Sequence, residues 1–390
     1  MLEAREVLVR TIASARWILI LSLTAGTGTF AIAEDAGQPS WSPKSAAAYL
    51  DQRADWWSTW PRAAKDRGTF CISCHTALPY ALARPALHAA LDEKEAGATE
   101  AKVLASVTKR VQEWAEVEPF YNDKTSGPHK TEQARGSESI FNALILVNRD
   151  ARAPRDRKMS RNWTMSDDAQ IAFDNMWALQ ISSGDAKGSW NWIDFNNRPF
   201  EAPDSHYYGA SLAAVAVAMT PPSYRSSKEI REHIALLRDY LAKEYGNQSS
   251  INRVAALWAS AKLASAGSPE ILTAEERQSL LGDLWKTQQS DGGWSLSSLA
   301  GDWKRHDNTA QEAASDGYAT GVVALALETA GIPRSETHLA SALNWLEHHQ
   351  EAQGSWPASS LNKQRDPESD IGRFMRDSAT AYTVLALTQP

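Results

Sequence analysis

The chain has 390 residues, 43% hydrophobic and 22% charged, with a net charge of −7. That length allows one large domain or two smaller ones, and the composition is that of an ordinary globular protein. A mildly acidic balance leaves no electrostatic footprint for nucleic acid or anionic lipid.

At the N-terminus, Arg5, Arg10 and Arg16 precede the apolar run Trp17–Leu23, and a softer stretch ends in Ala31-Ile32-Ala33. This is the layout of an export signal over residues 1–33, cleaved before Glu34. It predicts a periplasmic or otherwise exported protein. An uncleaved membrane anchor is the alternative, since residues 17–33 carry no charge. Gly26, Gly28 and the interspersed threonines make that run weakly apolar, however, and a span needs about 20 strongly apolar residues. No later segment reaches spanning length, so signal cleavage would leave no membrane span. Residues 34–41 read as a short linker and 42–390 as one domain.

From Ser42 onward the pattern is helical, and the fold class is all-α. Ser42-Pro43 joins a hydroxyl cap to a proline at the first helical position. Thr273-Ala-Glu-Glu276 is a capping box. A unit recurs: an amphipathic helix, a glycine-tryptophan loop, then a more apolar helix. The loops are Gln180–Trp192, Gln288–Ser295 and Gln350–Pro357. The apolar helices after them span Asp204–Ala218, Ser315–Leu327 and Arg376–Leu387, and Gly136–Val147 and Ser249–Ser260 have the same character. About six hairpins result, with first helices starting near residues 42, 100, 166, 226, 273 and 335. Such repeats bury their apolar faces on one another. In this register Thr76–Leu91 is the first apolar helix, tolerating Pro79 in its first turn but kinked or ended by Pro85.

At the loops the sequence resembles a known family. Trp345-Leu346-x3-Gln350-x3-Gly354-x-Trp356 is similar to the QW motif of squalene–hopene and related terpenoid cyclases. Leu284-x3-Gln288-x3-Gly292-x-Trp294 matches all but its aromatic, where Asp283 stands, and the copy at Gln180–Trp190 carries a four-residue insertion. The resemblance implies an α/α toroid, an inner ring of helices within an outer ring. In that family the glutamine caps a helix end and stacks on the tryptophan. It does not bring the chemistry. The cyclase acid cluster D-x-D-D, in which neighbouring carboxylates hold one member protonated, is missing. The nearest run, Met165-Ser166-Asp167-Asp168, lacks the first aspartate and falls where acids answer a helix dipole. The zinc site of the related protein prenyltransferases is not available either, because both cysteines of the chain lie in one short motif.

That motif is Cys71-Ile72-Ser73-Cys74-His75, the attachment signature of c-type haem. Each cysteine bonds one haem vinyl as a thioether, and the next residue presents its imidazole to the iron. The site resembles that of a c-type cytochrome, which implies one covalent haem c per chain, with Cys71 and Cys74 as attachment points and His75 as proximal iron ligand. A Cys71–Cys74 disulfide and a thin zinc site completed by a distant histidine are the competing readings. In the toroid register the motif occupies a junction at one mouth of the ring. A second axial ligand distinguishes electron transfer from small-molecule chemistry at an open iron. His206, at the start of the third inner helix, is the leading candidate for that distal position; His129, His306 and Met375 lie in comparable junctions. Tyr207, Tyr208, Tyr318 and Tyr382 are candidate pocket walls. Two functions follow. One is electron transfer with a redox partner protein, which is not enzymatic. The other is a haem enzyme acting on a small apolar ligand in the toroid cavity. A non-haem binding toroid is the third.

Overall fold

The computed structural model describes residues 41–153 and 163–389; the export signal expected over residues 1–33 and most of the expected linker lie outside them. Six helix pairs follow in order: α1 (Pro43–Thr59) and α2 (Ala77–Ala83), α3 (Ala98–Gln112) and α4 (Lys130–Arg152), α5 (Asp167–Ala178) and α6 (Ser205–Ala218), α7 (Lys228–Glu244) and α8 (Ser250–Ser265), α9 (Ala274–Thr287) and α10 (Gly317–Thr329), α11 (Thr337–His348) and α12 (Phe374–Leu387). Among the described residues there is no β-strand, only isolated bridges such as Ala64–Phe70 and Asn197–Glu201. The fold is all-α.

Five of the six first helices start at a capping side chain, and α3, preceded by Gly97, has none. Ser42 Oγ accepts from the Ser45 amide at 3.1 Å with Pro43 behind it, and Thr273 and Glu276 form both bonds of the capping box, at 3.1 and 2.9 Å. Ser166 caps α5 and places Asp167 and Asp168 in the first turn, the dipole role expected of them. These helices bury a stripe, as α7 does with Ile230, Ile234, Leu237 and Leu241. The second helices are buried almost all round; every residue from Tyr207 to Val217 and from Gly317 to Leu327 is inaccessible.

The second helices therefore form an inner layer. α2 packs on α4, α4 on α6, α6 on α8, α8 on α10, α10 on α12, and α12 back on α2, so that the order of neighbours closes on itself. Only α2 is irregular. It stops at Ala83, passes through a 3-10 turn (Arg84–Leu87) and resumes as one turn at His88–Leu91. Pro85, which lacks an amide hydrogen, accounts for the break.

The glutamines of the three loops lock adjacent repeats together. Gln180 Nε2 donates to the carbonyls of Gly188 and His233, both at 3.1 Å, while its Oε1 meets His233 Nδ1 at 2.6 Å. Gln288 repeats this with Gly292 and His338 at 2.8 Å each. Gln350 does so across the chain ends, with Gly354 and Ser42 carbonyls at 3.0 and 3.1 Å, its Oε1 taking the Ser42 amide at 2.7 Å. The clasp histidines also stack on tryptophans, His233 on Trp177 and His338 on Trp285, with ring centroids 4.9 and 4.4 Å apart. The loop tryptophans are fully buried and donate to the ends of the preceding helices, Trp190 to Met176 O, Trp294 to Leu284 O and Trp356 to Leu346 O.

Each loop needs its glycine. Gly354 has φ +96°, and a Cβ there would lie 2.1 Å from the Ser45 carbonyl oxygen. Gly354→Ala therefore combines left-handed strain with a clash against backbone, and should cost about 2 kcal/mol or more in urea unfolding. Gly331→Ala, at φ +78° but in open space, should cost visibly less.

Candidate functional site

The Cys71–His75 segment is an irregular stretch between α1 and α2, held by hydrogen bonds along its length. Thr69 Oγ1 accepts from Arg110 Nη1 at 2.9 Å, and the buried Arg110 is itself paired to the buried Glu138. The Cys71 amide donates to Ala63 O at 2.8 Å, and its carbonyl accepts from Trp57 Nε1 at 2.6 Å. Ser73 Oγ accepts from the amides of Thr76 and Ala77, at 3.2 and 3.1 Å, satisfying the start of α2. The two sulfurs are not joined, and both are buried. Burial pushes the Cys71 thiol up to about 12 and raises Cys74 well above the ordinary thiol range. Both are neutral thiols at physiological pH, neither nucleophilic thiolates nor ready metal ligands.

His75 is built differently. Its imidazole stacks on Phe374 (centroids 3.8 Å apart, 22° between planes) and meets Trp57 edge-on at 5.0 Å. Nδ1 lies 2.9 Å from Thr76 Oγ1. The Thr76 hydroxyl donates its one hydrogen to Asp377 Oδ2 at 2.6 Å. The oxygen must then accept from His75, so Nδ1 carries the proton and Nε2 keeps its lone pair. Asp377 is fixed in turn by Arg53 Nε at 2.8 Å and Nη2 at 3.1 Å and by the Tyr49 hydroxyl at 2.9 Å. Four donors converge on its two oxygens. Burial raises its pKa, opposed by Arg53, and the two-point Arg53 contact holds the carboxylate form. Ser378 Oγ donates to the His75 carbonyl at 2.9 Å. Burial, then Arg53 and Arg365, lower the His75 pKa to about 3, which keeps the ring neutral.

Two cavities adjoin this imidazole. The smaller, about 30 Å3, is bordered by Cys71, Cys74, His75, Tyr121 and Glu201. The larger, about 170 Å3, is bordered by His75 and Glu201 together with Phe200, Phe374, Met375 and Ile371 on an apolar side and Asn197, Arg198, Asn362 and Arg365 on a polar one. Its walls come from the connections between first and second helices in the first, third and sixth pairs and from the first two residues of α12. The third and sixth are laced together: the Arg198 amide donates to Asn362 Oδ1 at 3.0 Å, and Asn362 Nδ2 donates to Arg198 O at 2.7 Å. Glu201 borders both cavities, on a turn closed by its own amide to Asn197 O at 2.7 Å. Burial, reinforced by Asp194 and opposed by Lys130, pushes its carboxyl up to about 7.

The other candidate residues separate. His206 borders neither cavity; its Nδ1 lies 3.1 Å from the Trp190 carbonyl, which engages that nitrogen elsewhere, and burial lowers its pKa. His129 is exposed and pairs with Glu132, and His306 is exposed beside Trp303. Met375 shares the larger cavity with His75. Tyr208, Tyr318 and Tyr382 pack on one another in the interior, with Tyr208 and Tyr382 hydroxyls 3.1 Å apart, and Tyr207 donates to Leu241 O; none borders either cavity. Thr76, Asp377, Arg53, Phe374 and Glu201 carry no motif that sequence reasoning could use.

The residues fit a haem c in their chemistry. Two unjoined thiols and a neutral imidazole with an unprotonated Nε2 border one cavity, and the same imidazole borders a larger one with apolar and cationic walls. Opposite pH dependences of stability follow from the two titrating groups. His75 has its folded pKa lowered, so its contribution is lost as pH falls from about 6.5 toward 3; Glu201 has its folded pKa raised, so its contribution is lost as pH rises from about 4.5 to 7. In haem-free protein Glu201→Gln should therefore gain stability relative to the parent as pH rises through 4.5–7, read by urea unfolding at each pH. No family model matches this chain, and no curated protein matches it in sequence.

Proposed function

We propose that the chain is an exported c-type cytochrome on an α/α toroid, carrying one haem c through Cys71 and Cys74 and passing electrons to a redox partner protein. The observation that carries this reading is the imidazole of His75: Nδ1 is committed to Thr76 and Asp377, leaving Nε2 as a free donor atom beside two unjoined thiols. Orienting a histidine ligand through its other nitrogen is the usual means of fixing ring and tautomer. The cyclic order of inner helices and the glutamine clasps support the toroid. Haem, when bound, supplies a one-electron iron couple.

The chain's own residues do the rest. Asp377, held by Arg53 and Tyr49, anchors Thr76 and through it the imidazole; a carboxylate behind the ligand also raises its basicity. Phe200, Phe374 and Ile371 keep water from one side of the larger cavity, and Arg198 and Arg365 place positive charge on the other. Met375 is the residue available there as a second ligand, in preference to His206.

Expressed with haem-attachment machinery, the protein should give a covalently haem-stained band on a denaturing gel and a c-type pyridine haemochrome spectrum. Cys74→Ser should abolish the stable stain, and His75→Ala should change the iron spectrum while leaving helical circular dichroism intact. Met375→Ala should convert a low-spin spectrum to a high-spin form that binds carbon monoxide. A colourless parent protein, correctly exported, would sink the reading.

A further inference from the structure

The aromatic side chains beside His75 continue to the surface, further than holding an imidazole requires. Phe374, stacked on His75, touches Trp57, Trp60 and Trp56 with ring centroids 5.7, 6.2 and 6.2 Å away. Trp57 meets Trp60 at 5.5 Å, and Trp60 stacks on Trp56 at 5.1 Å with 24° between planes. Trp57 is buried, Trp56 and Trp60 are half-buried, and Thr59, Pro61 and Arg62 around them are exposed. The Arg53 guanidinium lies 4.4 Å over the Trp56 ring. Trp57 has a separate structural duty in its bond to Cys71 O, whereas the contacts of Trp56 and Trp60 here are with rings and guanidinium groups, which packing alone would fill as well with leucine.

We propose that Phe374, Trp57, Trp60 and Trp56 form the electron path between His75 and the surface at the C-terminal end of α1; the proposal rests on the haem c reading. Electronic coupling falls exponentially with distance and falls faster across gaps than through packed atoms, and this is an unbroken run of π-contacts. One electron leaves through His75 and reduces a one-electron acceptor at the Trp56–Trp60 face, leaving the iron ferric; no bond is made or broken and no proton moves.

The test uses the haem-loaded full chain with a ruthenium polypyridine photosensitiser attached at Thr59→Cys, an exposed position on the last turn of α1, and separately at Lys228→Cys, exposed on α7. Flash-driven haem reduction from the position-59 label should slow several-fold in Trp60→Leu, and Trp60→Phe should recover most of the rate. Reduction from the position-228 label should not change, nor should the haem spectrum. Unaltered rates from position 59, equal slowing from both labels, or no recovery with phenylalanine would overturn the path while leaving the haem intact. A parent protein without covalent haem would overturn the underlying reading instead, and pyridine haemochrome analysis registers that before any flash is fired.

Discussion

The carboxylate of Asp377 is the constraint on which both architecture and site depend. It belongs to the last helix and is gripped by Arg53 and Tyr49 of the first, more than 320 residues away in sequence. The same oxygens accept from Thr76, and so set the proton on His75. Arg53 reaches beyond it to Asp370, on the connection that walls the larger cavity. Closing the chain's ends and orienting the imidazole are thus one event. Desolvating an acid and a guanidinium together costs several kcal/mol per ion, recovered only when geometry and hydrogen bonding are complete. Here all four donors are in place. Loss of Arg53 would leave a buried charge with two neutral hydroxyl partners, and the damage would reach the site and the seam alike.

The seam has a second fastening that follows the repeat rather than the site. In the internal clasps a histidine presents its ring and carbonyl to the glutamine, and the carbonyl three residues later faces the loop glycine: His233 and Leu236, His338 and Ser341. At the seam Ser42 and Ser45 hold those two places. Ser42 is also the cap of α1, so its amide, free at a helix start, answers Gln350 where an imidazole does so elsewhere. One residue starts the first helix and receives the last loop.

The legible part of this protein was the local part. Caps at Ser42 and Thr273, the break at Pro85 and the approximate starts of the six first helices follow from local pattern, which a sequence displays directly. The thiol-histidine triplet was legible for the same reason. What orients His75 was not, because Thr76 is an unremarkable neighbour and Asp377 lies 301 residues from it. Glu201 gave no signal at all, since an acid on a five-residue turn is ordinarily solvated. His206 illustrates the limit from the other side: its register was right, but register fixes where a backbone is and not which acceptor a ring finds. The histidines of the clasps did leave a trace, in the paired tripeptides His233-Ile234-Ala235 and His338-Leu339-Ala340, visible once the glutamine contacts are known.

The last repeat shows how a site is made from a scaffold position. In α10 the loop tryptophan's amide, from Trp294, donates to Thr320, the fourth residue of the helix; in α12 the amide of Trp356 donates to Thr380, the seventh. Measured from that shared contact, α12 starts about one turn earlier. In α10 the aspartate at the start, Asp316, is spent as the cap, accepting from the Ala319 amide at 2.8 Å. In α12 the place matching Asp316 is taken by Arg376, and Asp377 follows it inside the helix, where it is not needed as a cap. Its carboxylate is released for Arg53, Tyr49 and Thr76. The added turn, residues 374–376, brings Phe374 and Met375, the ring against His75 and the thioether in its cavity. The extra turn thereby delivers the two side chains that face the imidazole, beside the acid that orients it.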